Sequence, residues 1–175
     1  MPSRITISYK VPDARALVKK GQFESLGFKG KIKNVSISDS YTIDTTLSRN
    51  SLNLVGKILA NPILEIFSIN KVITPSKFDW LIEVGFLPGV TDNIGATTRE
   101  TIEDLLKRKF KPNQSVYTSQ IFFISGILTN TDVEKIAYSL HNPLIQRVRI
   151  KTISEFKKEK DLSIIVPKVK LTSKN

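Results

Sequence analysis

A duplicated pattern constrains this chain more than any single residue does. Ile58-Leu59-Ala60-Asn61-Pro62-Ile63-Leu64-Glu65-Ile66-Phe67-Ser68-Ile69 matches Ser139-Leu140-His141-Asn142-Pro143-Leu144-Ile145-Gln146-Arg147-Val148-Arg149-Ile150 at an offset of 81, with Asn-Pro identical in both. A repeat fixes architecture first, because each copy must form the same supersecondary unit. Upstream, Leu52, Val55, Gly56 and Leu59 align with Val133, Ile136, Ala137 and Leu140, each set spaced i, i+3, i+4, i+7, one face of a helix. Ser48 aligns with Thr129, and Thr129-Asn130-Thr131-Asp132 has the form of a capping box. Pro62 and Pro143 stop the two helices, because proline disfavours a helical conformation in the residue before it. Asn61 and Asn142 then sit at the helix exits.

Earlier in each copy the offset falls to about 77, where Ile5-x-Ile7-x-Tyr9 lies on Ile82-x-Val84-x-Phe86, two alternations of strand type. Helices are expected over Pro12 to Phe23 and over Gly95 to Phe110, the latter opened by a capping box at Thr97-Thr98-Arg99-Glu100 and placing Ile94, Ile102, Leu105 and Leu106 on roughly one side. Two strands follow in each copy, Lys31 to Ile37 with Tyr41 to Leu47, and Ser115 to Thr118 with Gln120 to Leu128. Each unit then reads β-α-β-β-α-β, the order of a ferredoxin-like α+β sandwich. The expected division is residues 1–69, a linker at 70–77, a second unit at 78–152 and a basic linker or arm at 153–175. Within the arm, Ser163 to Leu171 alternates like an edge strand. A unit of this size buries little surface, and Ile121-Phe122-Phe123-Ile124 is apolar on both alternations. The two units are therefore expected to shield each other's bare sheet faces, as a pseudo-dimer within one chain.

Composition removes several chemistries. There is no cysteine, hence no thiolate ligand or thiol nucleophile, and His141 is the only histidine. Its repeat partner is Ala60, so the position does not demand imidazole, and a place near a helix C-terminus accounts for it. Gly56-Lys57 lacks the other residues of a phosphate loop, and Gly27 to Lys31 reads as ordinary turn punctuation. The net charge of +11 raises nucleic acid as a partner, yet the last 25 residues hold seven lysines against three acids, and the rest is spread thinly. Phe122 and Phe123 fall in a strand where an RNA-binding fold stacks bases, but the glycine- and aromatic-rich signature of that strand is missing. No stretch approaches the length of an apolar membrane span and no apolar leader follows Met1, so a cytoplasmic protein is expected.

The run Trp80-Leu81-Ile82-Glu83-Val84-Gly85-Phe86-Leu87-Pro88-Gly89-Val90-Thr91-Asp92-Asn93, closed by Asn142-Pro143-Leu144-Ile145-Gln146, resembles the PurS subunit of phosphoribosylformylglycinamidine synthase. Duplication of the pattern resembles the N-terminal region of the long single-chain form, where two PurS-like units stand in tandem. The resemblance implies a part in converting formylglycinamide ribonucleotide, glutamine and ATP to formylglycinamidine ribonucleotide. It implies no catalysis and no cofactor in this chain. ATP and magnesium belong to a synthetase (PurL-like) partner or domain, and glutamine hydrolysis to a cysteine-dependent glutaminase (PurQ-like). A PurS-like part bridges the two and helps organise ammonia passage. Asn61, Pro88, Gly89, Asp92 and Asn142 are the interface candidates. Two other classes share the strand order: a tandem regulatory domain binding an amino acid between its units, and an RNA-binding protein.

Overall fold

A computed structural model describes residues 1–169. In chain order the elements are β1 (Ser3–Tyr9), α1 (Ala14–Phe23), β2 (Ile32–Ile43), α2 (Arg49–Leu59), β3 (Glu65–Ile69), β4 (Trp80–Phe86), α3 (Asn93–Leu106), β5 (Val116–Gly126), α4 (Asn130–Leu140), β6 (Gln146–Thr152) and α5 (Ile153–Lys158). The fold is α+β, with one six-stranded antiparallel sheet ordered β3-β1-β2-β5-β4-β6. No helix among the described residues is long and apolar enough to cross a membrane.

Several local expectations hold. The Ser48 hydroxyl accepts from Ser51 N, and Thr129 and Asp132 cap α4 reciprocally. The two helices stop at Leu59 and Leu140, just before the Asn-Pro pairs. Other expectations change. Where two strands were expected in each half, β2 and β5 each run through unbroken, so a half reads β-α-β-α-β. The polar interruptions that suggested turns, Ser38-Asp39-Ser40 and Ser119, lie side by side in the middle of the β2–β5 ladder, where Gln120 Nε2 donates to Asp39 Oδ1. Helix α3 starts at Asn93, capped by Asp92, and the Thr97-to-Glu100 box lies inside it. Ile94 consequently sits in the exposed first turn. Residues 163–169 form no strand, since the Ser163 carbonyl is taken by arginine side chains instead of a ladder; residues 170–171 of that expected arm lie outside the described residues.

The pairing register is the same in both halves. Ile5 faces Ile69 and Tyr41, and Ile82 faces Ile150 and Phe122, which are the same three positions displaced by 77, 81 and 81. Between the halves, Val35 pairs with Ile124 and Ile43 with Val116, while Asp39 pairs with its own repeat equivalent, Gln120. The halves thus meet edge to edge instead of face to face.

Helices α1 to α4 cover one face, and neither of its two cores belongs to a single half. In one, Ala16 and Phe23 of α1 pack with Val133, Ile136 and Ala137 of α4 over Val35, Ile37, Ile82, Val84, Phe122 and Ile124. In the other, Leu52 and Val55 of α2 join Ile102 of α3 over Ile5, Ile7, Ile43, Ile69 and Val116. The opposite face carries a smaller core. Leu81, Ile121 and Phe123 lie under Val72 and Phe78 of the connection between halves, Phe156 of α5 and Leu162. This explains why Ile121 to Ile124 is apolar on both alternations, each side chain contributing roughly 1.5 to 3 kcal/mol by burial.

Gly56 shows how the copies diverge. A Cβ there would lie 2.3 Å from the Phe67 ring, whereas the repeat equivalents are Ala137 and Val148, a larger helix residue over a smaller strand residue. Gly56→Ala is expected to destabilise the fold by about 1 to 2 kcal/mol in urea unfolding, with overpacking outweighing alanine's helix propensity. Adding Phe67→Val should recover most of that loss. A second expectation concerns the shared cores. Chains 1–77 and 78–175, made separately, should each lack a cooperative unfolding transition and regain one on mixing; an independently folded half would contradict the shared cores.

Candidate functional site

Of the five residues expected at an interface, Asn61, Pro88, Gly89 and Asn142 shape turns and Asp92 caps α3. Asn61 Oδ1 accepts from the backbone N–H groups of Ile63 (2.9 Å) and Leu64 (3.2 Å), and Asn61 N–H donates to Glu65 Oε2 (2.7 Å). Asn142 repeats the arrangement, accepting from Leu144 N–H (3.0 Å) and donating to Gln146 Oε1 (2.8 Å). Asparagine suits both places because its short side chain mimics a backbone turn. Each turn holds one apolar residue out at its tip, Ile63 at 80% and Leu144 at 84% exposure.

Pro88 and Gly89 are the central residues of a turn closed by Val90 N–H to Leu87 O (3.2 Å), with Gly89 at φ +83, where a side chain is strained. Leu87 N–H donates to Ile145 O, which brings this turn beside that of Asn142. Asn61 lies apart, next to β3 at the opposite edge of the sheet. Asp92 is half-buried and committed, since its carboxylate accepts from Gly95 N (2.7 Å), Thr118 N (2.6 Å) and the Thr118 hydroxyl. It fastens the start of α3 to β5. His141 ends α4 with Nδ1 2.6 Å from Ala137 O.

At the junction of the halves a cavity of about 280 Å³ opens on the helix-bearing face, lined by Asp39, Tyr41, Phe86, Thr118, Gln120 and Gln146 among others. Asp39 accepts from Arg15 Nη1 (2.9 Å) and Gln120 Nε2 (3.0 Å), and Arg15 also grips Asp13 while lying over the Tyr9 ring. Burial works against the Arg15 charge, but the two carboxylates outweigh it and raise its pKa. Burial, and then the Asp39 charge, pushes the Tyr41 hydroxyl up. The one carboxylate in the cavity lining, Asp39, is neutralised by Arg15. Among the described residues no three acidic or histidine side chains converge as a metal site would require.

Sequence reasoning missed the ionic cluster on the other face. Glu83, 2% exposed, accepts from Arg149 Nη2 (2.6 Å), Arg149 Nε (2.9 Å), Arg147 Nη1 (3.3 Å) and the Ser119 hydroxyl (2.9 Å). Arg4 is equally buried, and its Nη atoms reach the carbonyls of Leu162 (2.5 Å) and Ser163 (2.8 Å). The signal was available: Glu83 takes a polar slot in an otherwise apolar strand, and Arg147 and Arg149 occupy alternate slots of the strand that pairs with it. A charge in the middle of a central strand needs opposite charges at the facing register positions.

Burial opposes ionisation of Glu83, but Arg149 and Arg147 outweigh it and hold its pKa below the ordinary 4.5. Its contribution to stability is therefore complete above that value and is lost as pH falls through the lowered pKa. Glu83→Gln is expected to cost about 3 kcal/mol at neutral pH by leaving two buried guanidinium groups without their carboxylate. In urea unfolding the gap between variant and parent should close as the medium is acidified below pH 4.5. A gap that stayed constant with pH would show that the ion cluster does not supply it. Compared with known proteins, the chain matches no protein-family model, and no curated protein matches its sequence.

Proposed function

We propose that this chain is a non-catalytic bridging subunit or domain of phosphoribosylformylglycinamidine synthase, built as two PurS-like units in tandem. The units act as a pseudo-dimer within one cytoplasmic chain. Its partners are a synthetase that binds ATP, magnesium and the ribonucleotide, and a glutaminase that releases ammonia. Its own work is to hold the two at a fixed separation and to help shape the ammonia passage.

The observation that supports this reading best is the shared register. Two segments with modest sequence likeness pair their strands at the same positions, displaced by 77 and 81 residues, about an exchange point at Asp39 and Gln120. That is the expected result of duplicating a unit that first associated as a homodimer, because a two-fold contact pairs position i with j and j with i. The Pro88-Gly89 and Asn142 turns that carry the resemblance lie together at one end of the second half, with Leu144 projecting beside them. Exposed turn tips on a rigid sheet suit contact with larger chains.

The test is co-purification. The tagged chain, mixed with PurL-like synthetase and PurQ-like glutaminase in the presence of ATP and glutamine, is expected to recover both at near-equal stoichiometry. Leu144→Asp should weaken recovery about tenfold, leaving the unfolding transition unchanged, since a charge in a buried contact costs more than 1.4 kcal/mol. Recovery of neither partner from chains that are active in their own assays would remove the proposal.

A further inference from the structure

The clearest unexplained feature lies on the sheet face away from α1 to α4. After α5, residues 159–169 run without regular secondary structure as a strap across that face. Leu162 is buried beneath it, Asp161 accepts from Val72 N–H, and Lys168 pairs with Asp44. At its centre one oxygen is claimed twice. Ser163 O accepts from Arg4 Nη2 and from Arg149 Nη2, each at 2.8 Å, and the Ser163 hydroxyl accepts from Arg149 Nη1 at 2.8 Å. Arg4 lies on β1 and Arg149 on β6, so two guanidinium groups from opposite sides of the sheet aim at one point.

Charge there is unbalanced. Three arginines, Arg4, Arg147 and Arg149, face two carboxylates, Glu83 and Asp161, and only Arg147 and Arg149 hydrogen-bond to Glu83. The Asp161 carboxylate is turned to the backbone N–H groups of Val72 and Leu162. Arg4 is held by neutral carbonyls alone, and buried Nε–H groups of Arg4 and Arg147 find no acceptor among the described residues. On the floor Ser40, 1% exposed, also lacks a partner and sits beside Ser119 in the central ladder. Buried charge left in this state is costly, and a carbonyl is a weaker partner for guanidinium than an anionic oxygen.

The repeat supplies an internal control. In the other half the position of Arg4 is held by Leu81, fully buried in an apolar core, and the position of Arg149 is held by Ser68. The strand framework therefore forms without either guanidinium.

We propose that Arg4 and Arg149 form a binding site for a phosphate-type dianion, free or as a phosphomonoester, and that the strap residues Leu162 and Ser163 occupy it in this structure. Their carbonyls stand where two anionic oxygens would be held. Ser163 is exposed, so the anion approaches from solvent and displaces the strap. Binding and strap release are then one equilibrium, and whatever loosens the strap tightens the anion.

The experiment is calorimetric titration of the full chain with inorganic phosphate and, separately, ribose 5-phosphate at fixed ionic strength, while the NMR signals of the Leu162 methyls are followed. Saturable binding is expected, with those methyls leaving their core environment at matching concentrations. Arg4→Lys keeps the charge but loses the fork, and should weaken binding about tenfold. Leu162→Ala loosens the strap without touching an arginine, and should strengthen binding about tenfold. Tighter inorganic phosphate assigns the site to the free ion, and tighter ribose 5-phosphate assigns it to an ester. No saturable binding of either, binding indifferent to both substitutions, or binding with the Leu162 methyls unmoved would each overturn the proposal.

Discussion

The β2–β5 ladder is the contact on which the rest of the molecule depends. It joins the halves through their longest strands, and its backbone hydrogen bonds set where every other element falls. A one-residue slip would send Ile37, Phe122 and Ile124 to the wrong face and bring Ser36, Ser38 and Phe123 beneath the helices. Asp39 and Gln120 oppose such a slip, because they face each other at mid-ladder, hydrogen-bond directly, and are tied to α1 through Arg15. Once the register is fixed, α1 can lie against α4 and α2 against α3. Both helix-side cores therefore draw on strands of the two halves together.

The two faces solve the problem of burial differently. The helix-bearing face is apolar and closed by side chains from both halves. The other face is lined across its middle by Thr6, Ser40, Ser119, Gly85 and Arg147, one polar or small residue per strand from β1 to β6. Small polar residues cannot fill the space beneath a cover, so the connection between halves, α5 and the strap lie there as separate pieces. Their attachment relies on a few buried apolar side chains and on arginine, not on a continuous ladder.

Much of this was legible in the sequence because duplication lets one copy check the other. The offsets of 77 and 81 hold at the level of paired residues, and the Ser48 and Thr129 caps and the two Asn-Pro turns fall where the alignment put them. The halves' connectivity was misread at Ser38 to Ser40 for a physical reason: a polar triplet in a strand reads as a turn unless its partner across the sheet is known. The start of α3 was misread because threonine and glutamate at capping spacing also occur inside helices, while Asp92 declares itself only through Gly95 and Thr118. The expected interface residues proved to be turn formers and, at Asp92, a helix cap, whose signal in sequence is the same whether or not a partner touches them. The Glu83 cluster was hidden because its members, 64 and 66 residues apart, become neighbours only when β6 pairs with β4.

The two outer strands carry a further lesson. A true homodimer must present the same residues at both ends of its sheet, whereas a duplicated chain can let its ends diverge. Here β6 has Arg147, Arg149 and Lys151 on the face where the corresponding positions beside β1 are Ile66, Ser68 and Asn70. Inward-pointing charges discourage a stray strand from adding to an open edge, and so does brevity. One end is thus guarded against self-assembly into fibres by cations, the other by being only five residues long. Lengthening that short end would expose a liability that its twin escapes.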